Sequence, residues 1–404
     1  MPIVAGVDSS TQSVKVVLRD ADSGELVAST SRPHPDGSEV NPQHWWKALS
    51  EALDELSSHK ISAISIAGQQ HGMIALDKDG AVIRDALLWN DTRSDKAAED
   101  LNREIPDIAL RTGSQLVASF TASKVRWLAD SEKANANRVA AIALPHDWLS
   151  WKLSGAKSIE TLFTDRSDAS GTGYFDSRKN EYCLDILATA IRTNQEIILP
   201  KIIAPNQFGA TSTNSIPIAA GAGDNAGAAL GLGASLGDLV ISLGTSGTAF
   251  AISKSSTHDS SGEVAGFADA TGNFLPLACT LNAAKIFNTV AKSLSLSFEE
   301  FSSLALSAKV GAEGLRIIPH FDGERTPNKP SAKGSFYGIT HSNFTRENIA
   351  RASIEGVIAG MIYAARAVER QGVSYSRILL IGGAAKNSAV QQISADLFGR
   401  TIHI

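Results

Sequence analysis

Asp238-Leu239-Val240-Ile241-Ser242-Leu243 runs into Gly244-Thr245-Ser246-Gly247 and leaves through Thr248-Ala249-Phe250-Ala251-Ile252. Apolar, β-branched and aromatic residues on both sides of a glycine-bounded polar turn predict strand, tight turn, strand. The chain opens in the same way. Ile3-Val4-Ala5-Gly6-Val7 meets the polar turn Asp8 to Ser13 and continues through Val14-Lys15-Val16-Val17-Leu18, and an offset of 234 residues lays Thr11 on Thr245. A third strand follows at Leu26-Val27-Ala28. Later, Ile61 to Ala67 ends at Gly68-Gln69-Gln70, and Arg377 to Ile381 enters Gly382-Gly383-Ala384-Ala385 in the same manner. Two similar halves, 1–233 and 234–404, are the economical reading. Independent strand-turn-strand units, which are common in α/β proteins, are the alternative. A length of 404 residues allows two or three domains at about 150 residues each.

Between these strands the pattern turns helical. Asn41-Pro42 is a helix start, with Asn as cap and Pro at the first helical position. Trp45, Leu49, Ala52, Leu53 and Leu56 continue it at helical spacing. Ser123 to Ala134, Asn225 to Leu232, Asn282 to Leu296 and Thr345 to Gln371 also predict helices, and Ser255 to Ser261 an exposed polar loop. Strands alternating with helices make the fold class α/β. Hydrophobic residues at 43% and charged residues at 20% are ordinary for a globular protein. A net charge of −5 carries no basic footprint for nucleic acid. No apolar run approaches the roughly 20 residues of a membrane helix, and Met1 to Asp8 has no basic leader region. Cys183 and Cys279 alone make neither a disulfide scaffold nor a cysteine-rich metal site, which fits a reducing, cytoplasmic setting.

Several segments carry groups suited to chemistry. Turns that follow strands aim backbone N–H groups at phosphate. Ser242 to Gly247 and Asp8 to Ser13 are such turns, rich in hydroxyls, and neither ends in the Gly-Lys-Ser/Thr of a Walker loop; each also reads as an ordinary hairpin. Ile216 to Ala219 predicts a strand that passes through Gly221-Ala222-Gly223 to Asp224 at a helix start. Asp224 is either that helix's N-cap or a carboxylate placed to accept a hydroxyl proton during phosphoryl transfer. Gly68-Gln69-Gln70-His71-Gly72 follows a strand, and its amides and imidazole suit a polyol; a structural histidine is the alternative. Trp89, ahead of Asn90-Asp91, is either core or a flat wall for a sugar. Ile318 to Pro327 reads as a rigid connector stitched by Glu324 and Arg325.

In this order and spacing the segments resemble the FGGY family of carbohydrate kinases over nearly the whole chain, and within it the xylulokinase branch. The resemblance rests on Gly6-Val7-Asp8 with Thr11, Gly68 to Gly72, Trp89-Asn90-Asp91, Phe120 to Lys124 with Trp127, and Gly223 to Ala226. It continues through Ser242 to Gly247, Gly323 to Pro327, Gly334 to Ile339 with Asn348 to Glu355, and Gly382 to Asn387. It implies two ribonuclease-H-like (actin-like ATPase) domains around an interdomain cleft, the first binding sugar and the second ATP. The implied reaction transfers the γ-phosphate of ATP to D-xylulose, giving D-xylulose 5-phosphate, with Mg²⁺ present. Asp224 is implied as general base, and Gln70, His71, Trp89 and Asn90 as sugar contacts. Thr11, Gln12, Gly244, Thr245, Ser246, Gly383, Ala384 and Asn387 are implied as ATP contacts, and Asp8 with Asp224 as the acids near Mg²⁺. A related ketose or polyol (ribulose, gluconate, glycerol) and a non-catalytic sugar or nucleotide binder are the other readings; a homodimer is a further expectation.

The chain departs from the family pattern at four places. Ser10 stands where the first hairpin is usually Gly, and Gln12-Ser13 where Ser/Thr-Gly is usual, which implies a stiffer or differently shaped turn. Gln70 replaces the Met of many xylulokinases. Ser131 stands at the usual polar or acidic end of the Phe120 segment. Family members continue beyond the strand-like Arg400 to Ile404, so a second domain lacking its last helices is expected.

Overall fold

A computed structural model describes residues 2–193 and 195–404. They form two compact units, one running up to Leu232 and including Phe267–Asn273, the other Gly233–Gly266 with Phe274–Ile404.

The sheet of the first unit runs, edge to edge, Phe208–Thr211, Pro217–Ala219, Ile61–Gly68, Ile3–Ser9, Ser13–Asp20, Leu26–Pro33, with Ala222–Gly223 also beside Ile61–Gly68. Ile3–Ser9 pairs antiparallel with Ser13–Asp20 and parallel with Ile61–Gly68. Strand alternation decides what faces the core. Val14, Val16 and Leu18 are fully buried while Lys15 is exposed. The helix Pro42–Glu55 covers that face with Trp45, Leu49 and Ala52, all fully buried. Of these, Trp45 and Leu49 each contribute about 2 kcal/mol of burial free energy. The helix starts as the sequence implies: Gln43 N–H donates to Asn41 Oδ1 at 3.0 Å, and Pro42 occupies the first position.

In the second unit the strands run Phe274–Thr280, Gly247–Ala251, Asp238–Leu243, Arg377–Ile381, Ile402–His403. Asp238–Leu243 is antiparallel to Gly247–Ala251 and parallel to Arg377–Ile381, and Ile402–His403 adds in parallel. This is the order and sense of the first unit, where Pro217–Ala219 adds in parallel to Ile61–Gly68. The internal repeat is therefore one of topology and not only of turn composition. The helix Arg346–Arg370 starts at Thr345, whose hydroxyl accepts from Asn348 N–H, and buries Ile354, Val357, Ile358, Met361 and Ala365.

Three expectations change in detail. The helix foreseen over Ser123 to Ala134 begins at Thr121 and breaks at Glu132 into Thr121–Ser131 and Lys133–Ala136. Asn282 to Leu296 shortens to Ala284–Ser293, because Asn282 Nδ2 is drawn to Gly323 O and Glu324. In the loop Ser255 to Ser261, Thr257 and Asp259 are buried. The Asp259 carboxylate accepts from Ser261 N–H and Val264 N–H, which folds the loop back on itself.

Candidate functional site

Three parallel strands of the first unit end side by side. The register sets Asp8 opposite Ala67 and Ala67 opposite Ala222, with Ser9, Gly68 and Gly223 one step on. Asp8, Gln69 and Asp224 therefore stand in that lateral order at the carboxyl edge of the sheet, where open α/β sheets take their ligands. Asp224 opens the helix Asp224–Gly231, but the N-cap is Gly223. The capping reading of Asp224 thus gives way. Its Oδ1 accepts from its neighbour, Asn225 N–H at 2.7 Å and Nδ2 at 2.8 Å. Burial, with Asp8's charge adding to it, pushes the Asp224 carboxyl up to about 6 against the Asn225 hydrogen bonds. Partial desolvation also raises Asp8, with Lys15 opposing.

Gln70 and His71 face a different loop. Gln70 Nε2 donates to Ser167 O at 3.0 Å, and Gly223 N–H donates to Ser167 Oγ at 3.0 Å. A Cβ on Gly223 would lie 2.6 Å from Gln70 Nε2. The amide that replaces methionine here fastens the Gln70 segment to the Asp224 segment. His71 has left-handed backbone (φ 70). Its Nδ1 lies 2.6 Å from Gly171 O, and its ring packs on Phe120 and Phe267. Lys124, to which the sequence reading gave no role, is entirely buried, and its Nζ donates to His71 O at 3.1 Å and to Ser119 O. Burial drives its ammonium down to about 7, Asp91 opposing.

Trp89 is half-buried, and its Nε1 donates to Thr11 Oγ1 at 2.8 Å. Thr11 Oγ1 in turn donates to Gln69 Oε1 at 3.2 Å. The Thr11 hydroxyl foreseen on a phosphate is thus engaged inside the protein. Asn90 is exposed, with Nδ2 3.4 Å from Gly37 O. Gln12 is exposed, and its carbonyl accepts from His34 N–H at 2.8 Å. His34 Nδ1 also lies 2.9 Å from Ser10 O. The third strand so braces the turn. Ser10 fits without strain, since no residue from Asp8 to Ser13 has positive φ.

In the second unit Gly244 N–H closes the turn on Ser246 O at 3.0 Å, and Ala284 N–H ties Gly244 O to a helix start. Thr245 is exposed and Ser246 half-buried. Gly382 (φ 92) lies so close to the hairpin strand that a Cβ would fall 2.5 Å from Leu243 O, which brings exposed Gly383 and buried Ala384 beside the hairpin. Asn387 Oδ1 caps the helix Ser388–Phe398, accepting from Ala389 and Val390 N–H. Its side chain is engaged in that cap.

One cluster escaped the sequence reading. His146, fully buried, holds its Nδ1 2.7 Å from Asp168 Oδ2 and 3.1 Å from Asp147 Oδ1, and its Nε2 3.0 Å from Ala220 O. A Cβ on Gly68 would lie 2.8 Å from His146 Cβ, and one on Gly221 2.5 Å from His146 Cδ2. The imidazole thus fills the space between the strand ends that deliver Gln69 and Asp224. Although burial opposes the charge, Asp147 and Asp168 push His146 up to about 10. With both ring nitrogens donating, no lone pair is left for a metal; the cluster is a buried ion pair.

Two units on one sheet order, each with a hairpin turn at a strand edge and the first with paired carboxylates there, define a two-domain α/β kinase. The models of the FGGY family of carbohydrate kinases match this chain, the N-terminal domain over residues 3–231 and the C-terminal domain over 239–404. The chain belongs to the FGGY family of carbohydrate kinases, and it is a sugar kinase that uses ATP. The xylulose kinase of Streptomyces coelicolor is 40% identical over 100% of this chain and 84% of its own length. The crystal structure of xylulose kinase from Bifidobacterium adolescentis superposes with a TM-score of 0.91 at 42% identity, covering 99% of this chain and 88% of that one. Gluconate kinase from Lactobacillus acidophilus reaches a TM-score of 0.90 at 25% identity, over 99% and 85%. Among the described residues no helix is long and apolar enough to cross a membrane.

Proposed function

We propose that this kinase phosphorylates the 5-hydroxyl of D-xylulose, giving D-xylulose 5-phosphate and ADP. The observation that carries this is identity at equal backbone similarity: 42% to a xylulose kinase against 25% to a gluconate kinase. The ribulose, gluconate and glycerol readings have less support. The first unit takes the sugar, with His71, Trp89 and Asn90 as its contacts and Gln70 holding the wall. The second takes ATP through the Gly244, Thr245 and Ser246 turn and the Gly383-Ala384 backbone; Thr11 and Gln12 present the turn of the first hairpin.

Asp224 is the base. Its carboxyl, at about 6, is ionised at neutral pH yet basic enough to draw a hydroxyl proton. As that proton moves to Asp224, the hydroxyl oxygen bonds the γ-phosphorus and the bond to the bridging oxygen of ADP breaks. Asp8 and Asp224 are hard oxygen donors, and Asp8's charge raises Asp224. A divalent cation such as Mg²⁺ would be held by Asp8, with Asp224 acting on it through water so that the Asp224 carboxylate stays free to take the proton, and when bound would supply charge neutralisation for the phosphates.

Incubation with MgATP and xylulose, ribulose, gluconate or glycerol, read by product mass and coupled ADP release, tests the reading. Xylulose is expected to give the highest kcat/KM by about tenfold or more; a higher value for gluconate would overturn the assignment. The pH profile tests the base. Protonated Asp224 accepts nothing, so kcat/KM for the sugar is expected to fall about tenfold per pH unit below about 6 and to be flat just above. A profile flat down to pH ~4, the range of an unperturbed carboxyl, would contradict it.

A further inference from the structure

Two buried polar atoms at this strand edge, Ser9 Oγ and Gln69 Nε2, have no hydrogen-bond partner among the described residues. Gln69 is 1% exposed. Its backbone N–H donates to Ser9 O at 3.0 Å. The residue follows the middle strand of the three, between Asp8 and Asp224 in lateral order. The other end of the amide is held. Indole N–H only donates, so Thr11 Oγ1 accepts from Trp89 Nε1, and the hydroxyl's single hydrogen goes to Gln69 Oε1. The amide oxygen is thereby fixed on the hairpin turn and the nitrogen turned away from it. A buried donor without an acceptor is costly, and a ligand oxygen relieves it.

Neighbouring positions are wired to different partners. Gln69 bonds Ser9 and Thr11 of the first hairpin, whereas Gln70 and His71 bond Ser167 and Gly171. The free amide therefore belongs with the hairpin and not with the polyol segment. Beside two carboxylates a Lys or Arg would be drawn into an ion pair; a neutral amide stays available for an anionic oxygen.

We propose that Gln69 Nε2 donates a hydrogen bond to a non-bridging oxygen of the phosphoryl group in transfer, and that Thr11 and Trp89 are positioning residues that hold the amide in that orientation. This rests on the kinase reading with the phosphoryl group delivered to the Asp8–Asp224 edge. Gln69→Glu keeps the shape and the acceptor for Thr11 but puts an oxygen where the nitrogen was; Gln69→Met removes both polar atoms without adding charge. Each is assayed with MgATP and the parent's best acceptor sugar, alongside calorimetric sugar binding without nucleotide and a thermal melt. Expected are a fall in kcat of about 100-fold for Gln69→Glu and about 10-fold or more for Gln69→Met, as for loss of one transition-state donor. Sugar Kd stays within about twofold. Thr11→Val, which leaves the amide free to turn, is expected to lower kcat at saturating sugar about fivefold; because it also takes the acceptor from Trp89 Nε1, kcat and not sugar Kd is its readout. Parent-like kcat in Gln69→Met, or in a folded Gln69→Glu, overturns the proposal. So does a raised sugar Kd at unchanged kcat, which would put the amide on the sugar. A parent that prefers another sugar fails the substrate reading alone, a result seen before any variant is made.

Discussion

Asn in place of Asp224 is expected to leave a folded protein that binds its ketose within about threefold of the parent and turns it over about 1000-fold more slowly, within the range of a lost general base. The substitution keeps the shape of the side chain and the start of the Asp224–Gly231 helix, whose cap is Gly223. It removes a half-buried carboxylate that burial and Asp8 already hold above the ordinary range. Thermal stability is therefore expected to stay level or rise slightly, because one of two repelling charges is gone. Loss of turnover combined with retained stability is what separates a base from a structural acid. Steady-state kinetics, calorimetric sugar binding and a melt on the same preparation read all three. Turnover within tenfold of the parent would remove Asp224 from the role and leave the proton to water or to phosphate itself.

Much of this arrangement is legible in the amino-acid order alone, and the reason is local. The hairpins at Ile3–Asp20 and Asp238–Ala251, the Asn41-Pro42 helix start and the strand-to-helix junction at Asp224 each announce themselves within about ten residues, through alternation, capping chemistry or glycine. Side-chain partners do not. The sequence offers Thr11 as a phosphate ligand because hydroxyls in turns suit phosphate, yet Trp89, 78 residues away, takes its lone pair and Gln69 its hydrogen. The resemblance implies Asn387 beside the nucleotide, and the structure adds a role the sequence does not announce, its Oδ1 capping the helix Ser388–Phe398. Asp224 reads as a cap but is displaced from that role by Gly223. In each case the chemistry of the residue is plain from its type and its partner is not, because the partner is fixed by sheet register and loop packing. Gln70 shows the same limit: the resemblance marks it as a replacement of methionine and implies a sugar contact, while its amide partner, Ser167 O, lies 97 residues away.

His146→Ala is expected to be the most destabilising single change in the first unit, by about 3–5 kcal/mol, the usual loss when one partner of a buried ion pair is removed. It would leave Asp147 and Asp168, both wholly buried, without their cation, and Ala220 O without its donor. For a unit of this size that corresponds to a melting point lower by about 10 °C. The pH dependence isolates the mechanism. A histidine whose folded-state value is raised to about 10, from about 6.5 unfolded, contributes stability that is whole below pH ~6.5 and is lost as pH rises through ~10. Burial raises Asp147 and Asp168 as well, with His146 opposing, and the variant, without that opposition, loses stability faster as they ionise. The difference in melting temperature should therefore be largest just below pH ~10 and narrow as the imidazole of the parent loses its proton above it. A constant difference would mean that the imidazole acts by filling space alone. His146 sits against Gly68 and Gly221, and its Nε2 holds the carbonyl four residues ahead of the proposed base. The variant should for this reason also lose kcat by more than it loses sugar affinity. Gly221→Ala tests the same packing from the other side: at φ 80 its Cβ would lie 2.5 Å from both Ile66 O and the imidazole. An alanine tolerated there with parent stability would show that the strand end is free to shift, and that His146 does not position Asp224.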